Sequence, residues 1–325
     1  MKIADIELPE KPLILAPMEG ITEMPFRIIC KRFGADLMFS EFVASEGLIR
    51  DAEKSIKKLN FQDKERPIGI QIFGHDINSL VSAAKIALET NPDLIDLNCG
   101  CPVKKVVNKG AGAALMLEPD KMAKAVSEIV KISDKPVTVK TRIGWDFNSI
   151  NIEDIAWRLQ DAGAAAITVH GRTRSQMYTG EADWSVIAKV KNNPNIHIPI
   201  FGNGDITSGE VAKQKLQLSN VDGLMIGRAA VGNPWIFKEV KAYLANSQSD
   251  FTPSLSERVE ICKEHVAMSV DYKGENRSLL EMRQHYAKYF KGVYNFKMYK
   301  MRLMQAQTIA ELMEILDEVG EAFNV

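Results

Sequence analysis

The chain has 325 residues and a mass of 36.2 kDa, with 46% apolar and 26% charged side chains. That is the mix of a folded globular protein, and it excludes a disordered, collagen-like or disulfide-scaffold chain. Net charge is −1 and the pI about 6.6, so bulk charge does not mark a nucleic-acid binder. No apolar run approaches the ~18–20 residues that cross a bilayer, and the first residues lack a signal-peptide core. The four cysteines, Cys30, Cys99, Cys101 and Cys262, include no CxxC pair. The expectation is a cytoplasmic chain with reduced thiols, no membrane segment and no metal site.

Short, mostly continuous apolar runs recur along the chain. They are residues 13–18, 35–40, 67–73, 93–98, 136–141, 165–170, 198–203 and 222–227. Continuous rather than alternating apolar character predicts strands buried on both faces of a parallel sheet. Helical spacing lies between them, at Thr22–Phe33, Ile77–Glu89, Pro119–Ile132, Ile152–Ala162, Trp184–Val190 and Gly209–Leu218. Thr22, Asp76 and Thr207 are expected as N-caps, and Pro119 suits a first helical turn. Eight strands alternating with helices over about 240 residues predict a (β/α)8 TIM barrel. A doubly wound open sheet is the competing arrangement, but no GxGxxG follows the first strand.

After Tyr243 the composition changes. Residues 245–256 are polar and read as a linker, and from Glu257 onward the pattern is wholly helical, with helical spacing over Leu279–Met304 and Ala310–Phe323. The expected organisation is a barrel over residues 1–244 and a small all-helical C-terminal domain over 245–325.

Polar residues collect at the carboxyl ends of the predicted strands. Pro17, Met18 and Glu19 end the first; Gln71 lies on the third. Asn98 and Cys101 end the fourth, and Lys140 and Arg142 the fifth. His170 and Arg172 end the sixth, Asn203, Gly204 and Asp205 the seventh, Gly227 and Arg228 the eighth. In a barrel these ends meet at one mouth, where barrel enzymes carry their chemistry. The Gly-rich turns GNGDI and IGRAA follow the last two strands, the usual place for a phosphate, and Arg228 would add a charge-assisted contact. Lys140 and Gln71 read as pointing inward on neighbouring strands, suited to the polar edge of a flavin. The thiol of Cys101, exposed by the NCGCP loop, could act as nucleophile, metal ligand or proton donor; without partner cysteines at ligand spacing, metal binding is disfavoured.

The stretches LAPMEGITEMPFR, DLNCGCPVKKVVNKGAGAALM, VKTRIGW, VHGRTR, GNGDI and MIGRAAVGNPWIF resemble the tRNA-dihydrouridine synthases, the bacterial synthase B and nitrogen-regulation protein three branch in particular. The resemblance implies FMN as cofactor, NADPH as reductant and uridines of the tRNA D-loop as substrate. By position, Pro17, Met18, Glu19, Gln71, Lys140 and His170 would hold FMN, as would Asn203, Gly204, Asp205, Gly227 and Arg228. Asn98, Arg142 and Arg172 would lie about the uracil. Hydride would pass from flavin N5 to uracil C6, and Cys101 would be the general acid at C5. A thiol with a reference pKa of about 8.5 is mostly protonated at neutral pH yet able to give the proton up. The base must leave its stack to be reached.

A tRNA partner needs cations. Arg283–Arg302 carries Lys288, Lys291, Lys297 and Lys300 with no acid, interleaved with Tyr286, Tyr289, Phe290, Tyr294, Phe296 and Tyr299. This pattern fits backbone attraction plus base stacking; a solvated basic face over a buried aromatic one is the plainer reading. Lys104, Lys105 and Lys109 could also reach phosphates. Three rivals remain on sequence: an FMN barrel acting on a free pyrimidine, a Schiff-base aldolase using Lys140, and a non-catalytic RNA-binding barrel. A monomer is expected.

Overall fold

The computed structural model describes residues 1–245 and 251–323. Eight parallel strands close into a barrel: β1 (Leu13–Leu15), β2 (Leu37–Phe39), β3 (Ile68–Phe73), β4 (Leu94–Cys99), β5 (Val137–Arg142), β6 (Ala166–His170), β7 (Ile200–Asn203) and β8 (Gly223–Ile226). Each pairs with the next, and β8 returns to β1. All eight predicted runs contain strands; most start one or two residues later than the apolar run, and β4 and β5 run one residue further toward the mouth. A further two-residue strand, Val43–Ala44, pairs with β3.

Besides the short turns Glu53–Lys57 and Lys104–Val107, the helices are α1 (Met24–Arg32), α2 (Ser45–Ile49), α3 (Ile77–Leu88), α4 (Pro119–Ile132), α5 (Ile152–Asp161), α6 (Trp184–Asn192), α7 (Gly209–Ser219) and α8 (Ile236–Leu244). Two expected caps are displaced. Thr22 bonds back to the backbone of Met18 instead of capping α1. Ser208, one residue after Thr207, caps α7 by accepting from the Val211 N–H. Asp76 caps α3 and Pro119 opens α4 as expected. A hairpin of residues 2–7, which the sequence patterning did not mark, brings Ile3 against Ile14, Leu37, Leu94 and Phe201 inside the barrel. A larger apolar layer joins the strands to the helices.

Four more helices follow: α9 (Leu255–Lys273), α10 (Glu275–Tyr289), α11 (Lys297–Gln305) and α12 (Ile309–Ala322). Residues 246–250 of the expected linker lie outside the described residues. The single helical pattern expected over Leu279–Met304 is two helices. Between them Gly292 at φ +86° and Asn295 at φ +55° take left-handed backbone that a helix cannot continue through. The helices build a core of their own, joined by Ile29 of α1 and by Trp235. Phe26 stacks on His265 at 5.4 Å and meets His285 at 5.0 Å. Beside these rings Glu23 pairs with Lys273 and Arg277. No helix among the described residues is long and apolar enough to cross a membrane.

Candidate active site at the barrel mouth

A cavity of about 1070 Å³ opens at the carboxyl ends of the strands, at the upper end of the ~300–1,000 Å³ usual for small-molecule sites. Strand register brings its side chains together: Asn98 lies beside Lys140, Arg142 beside His170, and His170 beside Asn203. Every residue named above from the strand ends lines this cavity except Gln71 and Arg172. Those two are buried among its supports. Gln71 and Lys140 are not on neighbouring strands, since β4 runs between β3 and β5.

The loop carrying Cys101 is held by a chain of buried amides. Asp96 accepts from Thr138 Oγ1 at 2.5 Å and from Gln71 Nε2 at 2.6 Å. Gln71 Oε1 accepts from Asn98 Nδ2 at 2.8 Å. Asn98 Oδ1 then accepts from the N–H groups of Gly100 (3.1 Å) and Cys101 (2.9 Å). Burial raises the Asp96 carboxyl to about 6, against the pull of Thr138, Gln71 and Lys140. From the other side, Ala113 N–H donates to the Cys101 carbonyl at 3.1 Å. Gly112 sits at φ +60°, where a Cβ would lie 2.9 Å from that carbonyl, so only glycine lets the two segments approach. The DLNCGCP and GAGAAL stretches are thus two walls of one loop. Burial pushes the Cys101 thiol up, offset in part by the Val103 N–H and the charges of Arg142 and Lys140. The thiol stays protonated at neutral pH.

Across the mouth, Lys140 Nζ donates to Asn203 Oδ1 at 3.1 Å. Burial, with Arg142 nearby, lowers Lys140 to about 8, which leaves it mostly charged at pH 7. His170 is held well below its usual value by burial and by the charges of Lys140 and Arg142, so its ring is neutral; Nδ1 accepts from Arg172 N–H at 3.3 Å. Arg172 ties down the following loop through the Thr179 carbonyl (3.1 Å) and Asp205 (2.8 Å). Asp205 also receives Arg228 at 3.1 Å. Arg142 donates to the carbonyls of Gly100, Thr173 and Met177. Glu19 pairs with Lys58 at 2.5 Å while lining the cavity.

Several lining residues escaped the sequence reading. The Tyr178 ring lies under two guanidiniums, Arg142 at 5.7 Å and Arg228 at 5.0 Å. It sits in a loop well past β6, where no strand-end rule points. Trp235, Arg258, Lys288 and Lys291 line the same cavity from the side of the helical domain. Lys288 and Lys291 belong to the basic stretch singled out above. Its aromatics do not stack outward: Tyr286, Tyr289, Phe290 and Phe296 are buried in the domain core, so the stacking reading of those four is corrected. Tyr294, 83% exposed, is the exception. Arg302 is engaged with Glu318.

The family model for dihydrouridine synthases matches residues 14–324. A probable tRNA-dihydrouridine synthase of Rickettsia conorii is 41% identical over 296 residues, 91% of this chain and 88% of the relative. The tRNA-dihydrouridine synthase B of Pseudomonas putida is 41% identical over 273 residues, 84% and 80% of the two chains. Among solved structures, a 2-naphthoyl-CoA reductase complex superposes with a TM-score of 0.59 at 12% identity, over 74% of this chain and 51% of that one. A morphinone reductase gives 0.52 at 12% identity, over 76% and 90%. These two share the fold.

Proposed function

This chain belongs to the dihydrouridine synthase family, and on that premise we propose that it reduces D-loop uridines of tRNA to 5,6-dihydrouridine, with FMN in the barrel mouth and NADPH as reductant. The observation that carries the reading is the mouth itself. One cavity holds a protonated thiol on a hydrogen-bonded loop, a charged lysine from the neighbouring strand, and cations contributed by the helical domain.

The residues present fit a flavin mononucleotide. Among the described residues Lys140 Nζ donates to Asn203, and it keeps N–H groups for the acceptor edge of a polar ring. Gly227 has no side chain, and a Cβ there would meet only Ala16 and Met18, at 3.5 and 3.7 Å, so a flat ligand can lie close to the backbone. Arg228, with the Gly204 and Gly227 turns, would take the phosphate. Pro17, Met18 and Glu19 would wall the ring, and Asp205 would orient Arg228. Bound flavin would supply the hydride for uracil C6.

The chain's own residues do the rest. Cys101 holds the proton and delivers it to uracil C5, the position that gains negative charge. Asn98 fixes the loop that aims the thiol, and Gln71 and Asp96 fix Asn98. Arg142 and Arg172 hold the walls where the base enters. Neutral His170 presents a hydrogen bond without adding charge. Arg258 and Lys291 draw the anionic RNA toward the opening.

The test joins a spectrum to product analysis. The purified protein should show flavin absorbance, and Cys101→Ala should keep that absorbance while dihydrouridine formation in tRNA drops by at least about 100-fold. A colourless protein, or a fully active Cys101→Ala, would overturn the reading. Activity on free uracil without tRNA would favour the free-pyrimidine rival.

A further inference from the structure

The segment after β8, Gly227–Gly232, is fastened at both ends by one face of helix α10. Lys288 Nζ donates to the Arg228 carbonyl at 3.1 Å. One helical turn earlier, His285 Nδ1 accepts from the Gly232 N–H at 3.2 Å. Residues three apart share a helix face, so a single side of α10 makes both bonds. Gly232 is at φ +59°, and a Cβ there would lie 2.4 Å from the His285 carbonyl oxygen and 2.9 Å from Lys288 Cβ. Helix and turn are therefore in backbone contact at a point where only glycine fits. This contact falls on the turn that ends in the mouth.

Charge points the same way. Arg228, Arg258, Lys288 and Lys291 all line the cavity. Of these, Arg228 has a carboxylate, Asp205, which it shares with Arg172. Arg258, Lys288 and Lys291 form no ion pair with a carboxylate among the described residues; Arg258 donates to the carbonyls of Pro253 and Lys291 and lies over the Trp235 ring, and Lys288 donates to the Arg228 carbonyl. Burial and the neighbouring Arg228 and Lys291 charges lower the Lys288 ammonium below its usual value. Three cations held beside Arg228, with Asp205 already shared between two arginines, leave the rim short of negative charge and suited to an anion.

Building on the flavin reading above, we propose that helix α10 is part of the cofactor site: His285 and Lys288 hold the turn after the eighth strand in the shape that receives the cofactor's phosphate monoester, and Lys288 adds charge to it. His285 and Lys288 are then positioning residues. The helical domain helps retain the cofactor, and by reciprocity a bound cofactor tightens the docking of that domain. The same phosphate chemistry could come from the RNA backbone, so the test separates the two sources.

The full-length protein, stripped of flavin, is titrated with FMN and with riboflavin, which lacks the phosphate, by flavin fluorescence. The wild type should bind FMN more tightly than riboflavin. Lys288→Met should weaken FMN roughly ten- to a hundredfold, the worth of one charge-assisted hydrogen bond, and leave riboflavin unchanged. Lys288→Arg should recover most of the loss. Equal loss for both flavins would mean general loosening and would overturn the proposal. So would unchanged FMN affinity with weakened, salt-dependent tRNA binding, which assigns Lys288 to an RNA phosphate. A wild-type protein that binds neither flavin overturns the flavin reading itself, a result distinct from a silent Lys288→Met.

Discussion

At the barrel mouth a side chain's place along its strand decides where it goes; in the helical domain the surface a helix docks against decides. Asn98, Lys140, His170 and Asn203 lie near the ends of four successive strands, Asn98 level with Lys140 and His170 level with Asn203, so they converge whatever their neighbours are. Tyr286, Tyr289 and Lys288 lie within four residues on one helix, yet the tyrosines face the domain core and the lysine faces the mouth. Strand geometry is fixed by the barrel's closure. A helix can turn any face inward, and only the partner surface, here α1 and Trp235, selects it. Chemistry read from strand ends therefore transfers directly into space, and chemistry read from a helical run does not.

The largest effect expected from breaking the strand-end arrangement comes from Asn98→Ala. It removes the acceptor for two N–H groups of the Cys101 loop and the donor to Gln71. The loop would lose its aim while the thiol remains. A displacement of about 1 Å at a reacting group can cost about 100-fold, so product formation should fall by that order while flavin absorbance is retained. Wild-type turnover in Asn98→Ala would show that the amide chain is packing and nothing more.

The sequence carried the barrel because each strand is a short apolar run bounded by turn residues, and closure then follows from alternation with helices. It carried most of the mouth for the same reason. Gln71 shows the limit. Its strand position is right, but its amide is spent on Asp96 and Asn98 below the cavity, and the third and fifth strands of a sequential barrel are not neighbours, so β4 separates it from Lys140. Tyr178 shows another, since it reaches the mouth from a loop whose path depends on Arg172 gripping the Thr179 and Gly180 carbonyls. The end of α10 at Tyr289 is set by Gly292 and Asn295, residues that helical spacing alone passes over.

An intermediate effect tests the docking of the two regions. His265 and His285 face each other at 4.7 Å against Phe26. Burial holds His265 well below its usual value and His285 down to about 3. In the unfolded chain both titrate near 6.5. Between pH 6.5 and about 3 the unfolded state takes up protons that the folded state refuses. The stabilisation is thus complete above 6.5 and is lost as pH falls, by at most about 1.4 kcal/mol per histidine per pH unit. Melting followed by near-ultraviolet dichroism should show this as a fall from pH 6.5 to 5, partly offset by Glu41 and Asp96, which burial holds at about 7 and about 6 and which the folded state protonates first. His265→Phe, which cannot take up the proton, should flatten it. An equal slope in both proteins would place the acid sensitivity elsewhere.

The smallest effect bears on the aromatic residues themselves. Tyr286 is fully buried, and its hydroxyl has no hydrogen-bond partner among the described residues. Burying that group without a partner costs roughly 1–3 kcal/mol, so Tyr286→Phe should leave the protein as stable as before or more so by up to about that amount. A base-stacking tyrosine and a core tyrosine differ here in a second way. Phenylalanine still stacks, so only a bulkier change tells on RNA: Tyr294→Ala, at the exposed turn between α10 and α11, should weaken tRNA binding by up to about 1–3 kcal/mol if its ring meets a base. Melting temperature should not move, because Tyr294 is outside the core. A stability change from Tyr294→Ala with unaltered tRNA affinity would make that ring structural as well, and would leave the cations as the helical domain's whole contribution to RNA binding.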